Sequence, residues 1–432
     1  MNNILKILLI FTFLNNCSFN QNSKFWTKKK ITEEEFNAQE IFEEDKVLNL
    51  ERNPSLKISL YTKVINKSFI NNFDNNNGRI NYNGALKNIS KFKYSKISNL
   101  HQYDPKISFH ENSIIFFDNK GSILKFNINS SLIWKKNYYS KNQKKQKPIL
   151  FFANNGKTLI VADNIAKYYA LDIYTGKLLW SKNNTAPFNS QIKIYKDKFF
   201  VIDYDNVLRA YSIVDGKEIW NIKTQNSRMK SQKQLSLVLI ENKIYFNNSL
   251  GDISSVDIES GELMWQSPTQ NTLVYEDGFF LKNSDLIADK NSLYFSNNKN
   301  EFFSIDINSG SINWKQKINS TLRPTLIDNY IFTISPKGYL IILDKISSNI
   351  IRITDIFKNI KPKKRLKVEP TGFIVGNNNI YITTNHGRLL VVDIKSGVIK
   401  SMKKIDNKKI SRPSILNQYL YIITDNSIIK LD

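Results

Sequence analysis

The stretch Leu171-Asp-Ile-Tyr-Thr-Gly-Lys-Leu-Leu-Trp180 returns with the same spacing as Tyr211-Ser-Ile-Val-Asp-Gly-Lys-Glu-Ile-Trp220, Val256-Asp-Ile-Glu-Ser-Gly-Glu-Leu-Met-Trp265 and Ile305-Asp-Ile-Asn-Ser-Gly-Ser-Ile-Asn-Trp314. In each copy an apolar strand runs into Asp, or into Ser212 in the second. A carboxylate or hydroxyl there can accept from backbone N–H groups just ahead and so start a turn. Gly176, Gly216, Gly261, Gly310 and Gly397 supply the left-handed residue of a hairpin loop with a bulge. Trp180, Trp220, Trp265 and Trp314 then fall eight residues after the Asp position. A large flat ring at that point can fill the wedge between neighbouring sheets, and its burial should contribute about 1.5–3 kcal/mol.

Extended along the chain, the Asp phase falls at Asn127, Asp172, Ser212, Asp257, Asp306, Asp344, Asp393 and Asp432. Units of about 40–50 residues, each built of short apolar strands, predict radial repetition of four-stranded antiparallel sheets. The expected fold is therefore all-β: an eight-bladed β-propeller. The first copy is one residue short and lacks the Gly, but keeps Trp134. The sixth has Ser348 and Arg352 in place of Gly and Trp, and the seventh has Ser401 in place of Trp; these three blades are expected to be the less regular ones. The last copy reaches Asp432 without its turn and outer strand, and an open edge would recruit other chains. The N-terminal stretch Lys91-Phe-Lys-Tyr-Ser-Lys-Ile-Ser98 is the expected donor of that strand, with Tyr94 in the Trp slot.

With 432 residues, 41% of them hydrophobic, the chain has ample material for a large core. Its net charge is +24, but only nine of the 62 basic residues are Arg. Arg is the side chain that forks onto phosphate and guanine, so this surplus of Lys argues against nucleic acid and for a solvated surface that steers acidic partners. A single cysteine, Cys17, excludes an internal disulfide and a Cys-rich metal site in this chain. His101, His110 and His386 are too scattered for a ligand cluster and read as surface or turn residues. No nucleophile elbow or phosphate-cradling Gly loop is present, and no catalytic, cofactor-binding or metal-binding residue is expected.

The N-terminus reads as an address. Lys6 precedes the apolar run Ile7–Leu14, which is too short to span a bilayer, and residues 1–16 form the expected signal peptide. Leu14-Asn-Asn-Cys17 resembles the bacterial lipobox, in which the cysteine is acylated and becomes the first residue. Ser18, rather than Asp, follows, which by that resemblance implies sorting to the periplasmic face of the outer membrane. Residues 17–60 are expected as a polar tether with a short helix, residues 61–90 as an irregular approach segment and residues 91–432 as the propeller. Lys361-Pro-Lys-Lys-Arg-Leu-Lys367 reads as a basic, solvated loop between strands.

The Leu-Asp-x-x-Thr/Ser-Gly-x-x-x-Trp unit resembles the repeat named after pyrroloquinoline quinone enzymes. Together with the lipobox, eight repeats and this length, the chain resembles the BamB family of lipoproteins of the outer-membrane β-barrel assembly machinery. The resemblance implies a scaffold without catalysis or cofactor, a monomer within a complex, whose loops hold periplasmic domains of the barrel-inserting subunit. It carries that contact to the stretches 226–231 and 283–285, hence to Arg228, Met229 and Asp285. Two alternatives stand beside it. One is a generic periplasmic adaptor. The other is a quinoprotein dehydrogenase, which would need a vicinal disulfide that one cysteine cannot form.

Overall fold

In the computed structural model the described residues are 50–61, 78–98, 100–225, 231, 233–269 and 281–432. They contain eight four-stranded antiparallel sheets, the blades of a β-propeller. Blades 1 to 7 take four consecutive strands each. Their first strands are Ser108–His110, Leu150–Asn154, Lys193–Tyr195, Leu237–Ile240, Ile287–Ala288, Thr325–Ile327 and Pro370–Val375. Blade 8 combines Ser414–Leu416, Tyr419–Ile423 and Ser427–Leu431 with Asn88–Lys93 from the N-terminal side.

Burial orders the strands within a blade. The second and third strands, such as Lys198–Ile202 and Val207–Ser212, are buried along most of their length. The fourth, such as Glu218–Lys223, alternates between exposed and half-buried positions and forms the rim. β-Branched and aromatic side chains suit the inner strands because both faces pack against a neighbouring blade. Between blades 2 and 3, for instance, Trp180 stacks on Phe199 with ring centroids 6.1 Å apart and planes 14° from parallel, and Phe199 stacks in turn on Tyr211.

The repeat turn does what its residues dictate. Asp257 Oδ1 accepts from the backbone N–H of Glu259 and Ser260, each at 2.9 Å, and Gly261 adopts φ +76°. Each turn glycine sits on the preceding blade's rim residue: a Cβ at Gly216 would lie 2.6 Å from the Trp180 ring, and one at Gly261 2.6 Å from Trp220. Four indoles close their junctions in the same way. Trp180 Nε1 donates to Ile213 O, Trp220 to Ile258 O, Trp265 to Ile307 O and Trp314 to Lys345 O, at 2.8–3.2 Å. The acceptor is always the residue after the next blade's Asp position.

Blades 1, 6 and 7 depart from the expected irregularity. All three keep the one-residue bulge that the other third-to-fourth strand pairs show. Ser130 and Ser348 adopt φ +67° and +62° where other copies use Gly. Arg352, in the Trp slot of blade 6, is fully buried and donates from Nη2 to Ile394 O at 3.1 Å, the carbonyl equivalent to those that accept an indole N–H. At two further junctions a lysine on the adjacent strand reaches the equivalent carbonyl. Lys125 Nζ donates to Ile173 O at 3.0 Å, beside a Trp134 Nε1 that is buried without a partner, and Lys430 Nζ donates to Ile128 O at 3.1 Å.

The N-terminal strand closes the ring, in a register four residues from the expected one. Ser90, not Tyr94, faces Lys430 and so holds the Trp slot of blade 8. Tyr94 lies past the strand end, where its hydroxyl donates to the carbonyl of Thr424. Residues 78–87 are more than an approach: Gly78, Ile80 and Leu86 donate to the carbonyls of Leu326, Val375 and Asp432, which ties blades 6, 7 and 8 together. Residues 50–61 dock as well. Arg52 and Ile353 exchange both backbone hydrogen bonds at the rim of blade 6, and Ile58 is buried. His110, expected at the surface or in a turn, ends the first strand of blade 1 just before its turn and is buried; Nε2 donates to Gly156 O at 3.0 Å, which leaves Nδ1 to accept from Lys125 Nζ at 3.2 Å.

Candidate partner-binding face

Antiparallel strands alternate direction, so the topology sorts the connections onto two faces. One face carries the turns between first and second strands and the Asp-Gly turns, all of them short. The other carries the turns between second and third strands and every crossover from one blade to the next. Among the described residues, crossovers such as 137–149 and 356–369 are therefore the longest connections, all on one face.

The faces differ in charge. Segment 137–149 carries Lys141, Lys144, Lys145 and Lys147 with no acidic residue. Segment 356–369 carries six basic residues against Glu369 and forms a short helix over Pro362–Arg365, with Arg365 paired to Asp355 at 2.6 Å. On the opposite face the first hairpin turns carry Glu111, Asp197, Glu241, Asp289 and Asp328 against Lys157, Lys196 and Lys290. The positive charge is concentrated where the long connections are.

Cys17, Arg228 and Met229 lie outside the described residues. Asp285 is described, and it stands at the mouth of the central channel. It lies two residues before the first strand of blade 5, and Lys106, Gln191, Arg323 and Arg412 lie two residues before the first strands of blades 1, 3, 6 and 8. One phase of the repeat therefore delivers all five to the same rim. Residues from non-adjacent blades meet there. Gln191 Nε2 donates to Asp285 Oδ2 at 3.1 Å, and Lys233 Nζ donates to Thr321 O at 2.7 Å.

Electrostatics at this rim follow from partial enclosure. Burial would raise the pKa of Asp285, but Lys106, Lys233, Arg323 and Lys193 outweigh it and hold the carboxyl below its ordinary value. Burial pushes the Lys233 ammonium down to about 8, against the pull of Asp285 and Asp104. It pushes Arg323 down to about 10. In the linear sequence Asp285 stands out and the cations around it do not, although their common repeat phase is the signal that could have found them.

Among the described residues no group of three or more His, Cys, Asp or Glu side chains could hold a metal ion, and no helix is long and apolar enough to cross a membrane. The arrangement offers binding chemistry: a rigid ring that presents a cationic face.

The sequence profile of a family described as outer membrane protein assembly factor BamB matches residues 119–354. The chain belongs to the BamB family. The crystal structure of BamB from Moraxella catarrhalis superposes with a TM-score of 0.66 at 16% identity, covering 81% of this chain and all of that one. Quinohemoprotein alcohol dehydrogenase from Comamonas testosteroni superposes with a TM-score of 0.61 at 11% identity, over 82% of this chain and 78% of that one. The computationally designed Ika8 protein reaches 0.59 at 12% identity, over 81% and 99%. No curated protein sequence matches the chain. At these identities the structural likenesses establish the fold alone.

Proposed function

We propose that this BamB-family chain is a non-catalytic scaffold of outer-membrane β-barrel assembly that docks the periplasmic domains of the barrel-inserting subunit. The observation that carries this reading is the segregation of long, basic crossovers onto one face of a ring whose other face is pinned by tight turns. Loops held by a rigid frame are where binding surfaces reside, and a cationic face accelerates encounter with acidic partners in a salt-sensitive way. Asp285 lies on that face, and Arg228, Met229 and Asp285 are the proposed contact residues. Acylation of Cys17 would hold the ring at the periplasmic face of the outer membrane, each buried methylene contributing about 0.8 kcal/mol.

Affinity purification from crosslinked envelopes tests the partner. Co-elution of the barrel-inserting subunit, weakened by alanine at Arg228, Met229 or Asp285, supports the reading; its absence favours an adaptor for another client. Structural likeness to a quinohemoprotein dehydrogenase motivates the second reading, a quinone enzyme. A dye-linked oxidase assay with added quinone distinguishes it, and the single cysteine argues against it.

A further inference from the structure

The same rim holds a small cleft of about 40 Å³, lined by Asp104, Lys106, Arg323, Ser411 and Arg412 among others. That is space for roughly three waters, the size of one carboxylate or phosphate head group. Its polar lining is unevenly satisfied. Lys106 is paired with Asp104. Arg412 Nε donates to Phe373 O at 2.8 Å, but its Nη1 is buried without a hydrogen-bond partner, and so is Arg323 Nε. A buried charged N–H left without an acceptor is costly, and an anion in the cleft would supply one.

We propose that the cleft between Arg323 and Arg412 binds one oxyanion, the carboxylate or phosphate group of an acidic ligand. Charge supports it. Lys106, Lys193, Lys233, Arg323 and Arg412 converge on this rim, and Asp104 and Asp285 are the carboxylates that face them. The downward shifts of Lys233 and Arg323 show how strongly this enclosure penalises their charge. The site binds an anion whether or not the barrel-inserting subunit is the partner, so the purification above can fail while this inference stands, and the reverse.

Calorimetric titration of the full chain with inorganic phosphate and, separately, with a capped hexaglutamate peptide provides the test. One saturable site is expected, with affinity falling as NaCl rises. Arg323→Gln should weaken binding at least tenfold, while Lys290→Gln, in an exposed hairpin turn of the opposite face, should leave it unchanged. Because Arg412 also holds Phe373, Arg412→Lys is the informative change there, with its thermal melt recorded alongside. Binding of phosphate alone assigns the group to a phosphate source, and binding of the peptide alone assigns it to an acidic segment; both uphold the site. Absence of saturable binding with either probe, or an Arg323→Gln variant that binds as tightly as the parent, overturns it.

Discussion

Arg352 Nη2 donates to Ile394 O at 3.1 Å, and with that bond a guanidinium performs at the junction of blades 6 and 7 what an indole N–H performs at four others. Nη1 also donates to Leu56 O at 2.8 Å and to the carbonyl of Lys395, so the same side chain fastens the N-terminal segment to the rim. Burial lowers its pKa to about 10, still leaving it charged at neutral pH. Arg352→Leu should cost about 3 kcal/mol, since three carbonyls, that of Ile394 buried, lose a charged donor. Arg352→Trp should recover part of that through Ile394, yet still speed hydrogen exchange across residues 52–58. Exchange across residues 52–58 as slow in Arg352→Trp as in the parent would contradict the double role.

At the seam between blades 8 and 1, Lys430 carries the latch to Ile128 O and lies over the Tyr419 ring, 3.7 Å from its centroid. Lys430→Met should destabilise the fold by about 1–2 kcal/mol in urea titrations. Deleting residues 88–93 exposes the edge of Ser427–Leu431, and size-exclusion chromatography should then show self-association.

Glycine at the turn serves two ends that substitution can separate. Gly216 has φ +67° and would place a Cβ 2.6 Å from the Trp180 ring; Gly156 has φ +88° but no atom within 4 Å of such a Cβ. Gly156→Ala should therefore cost roughly 1 kcal/mol for backbone conformation alone. Gly216→Ala should cost about 2–4 kcal/mol, because a packed indole must move as well. Thermal melts in which both variants lose the same stability would count against the indole contact as the main source of the Gly216 penalty.

The buried Asp163 makes stability depend on pH. Burial lifts its pKa to about 6, against the Tyr139 hydroxyl and the backbone N–H groups of Lys167 and Ile165 that donate to it. Between roughly pH 4 and 6 the folded chain then holds a proton that the unfolded chain has released. Stability from this group should fall as pH rises through that window, by up to about 3 kcal/mol. Asp163→Asn should flatten the slope there. Below pH 4 the opposite trend sets in: turn carboxylates such as Asp257 and Asp306, held low by backbone N–H donors from Ser260 and Ser309, lose their contribution as they protonate. Chemical denaturation from pH 3 to 8 checks both limbs.

The blade count and the placement of Trp180, Trp220, Trp265 and Trp314 between blades were legible in the linear sequence, because a turn needs Asp and Gly at fixed separation and a wedge needs a large ring at fixed phase. These are local demands, and they recur at one spacing. What only the folded ring decided are the substitutions that satisfy the same carbonyl by other means. Arg352 reads as a defect in a motif, and Lys430 does not stand out at all, until the neighbouring blade supplies Ile394 O and Ile128 O. The register of the closing strand likewise depended on long-range pairing, which put Ser90 opposite Lys430 and left Tyr94 to reach Thr424. The channel rim is the extreme case. Lys106, Asp285, Arg323 and Arg412 lie up to 306 positions apart and acquire a shared electrostatic environment only when eight blades bring one repeat position to a common centre.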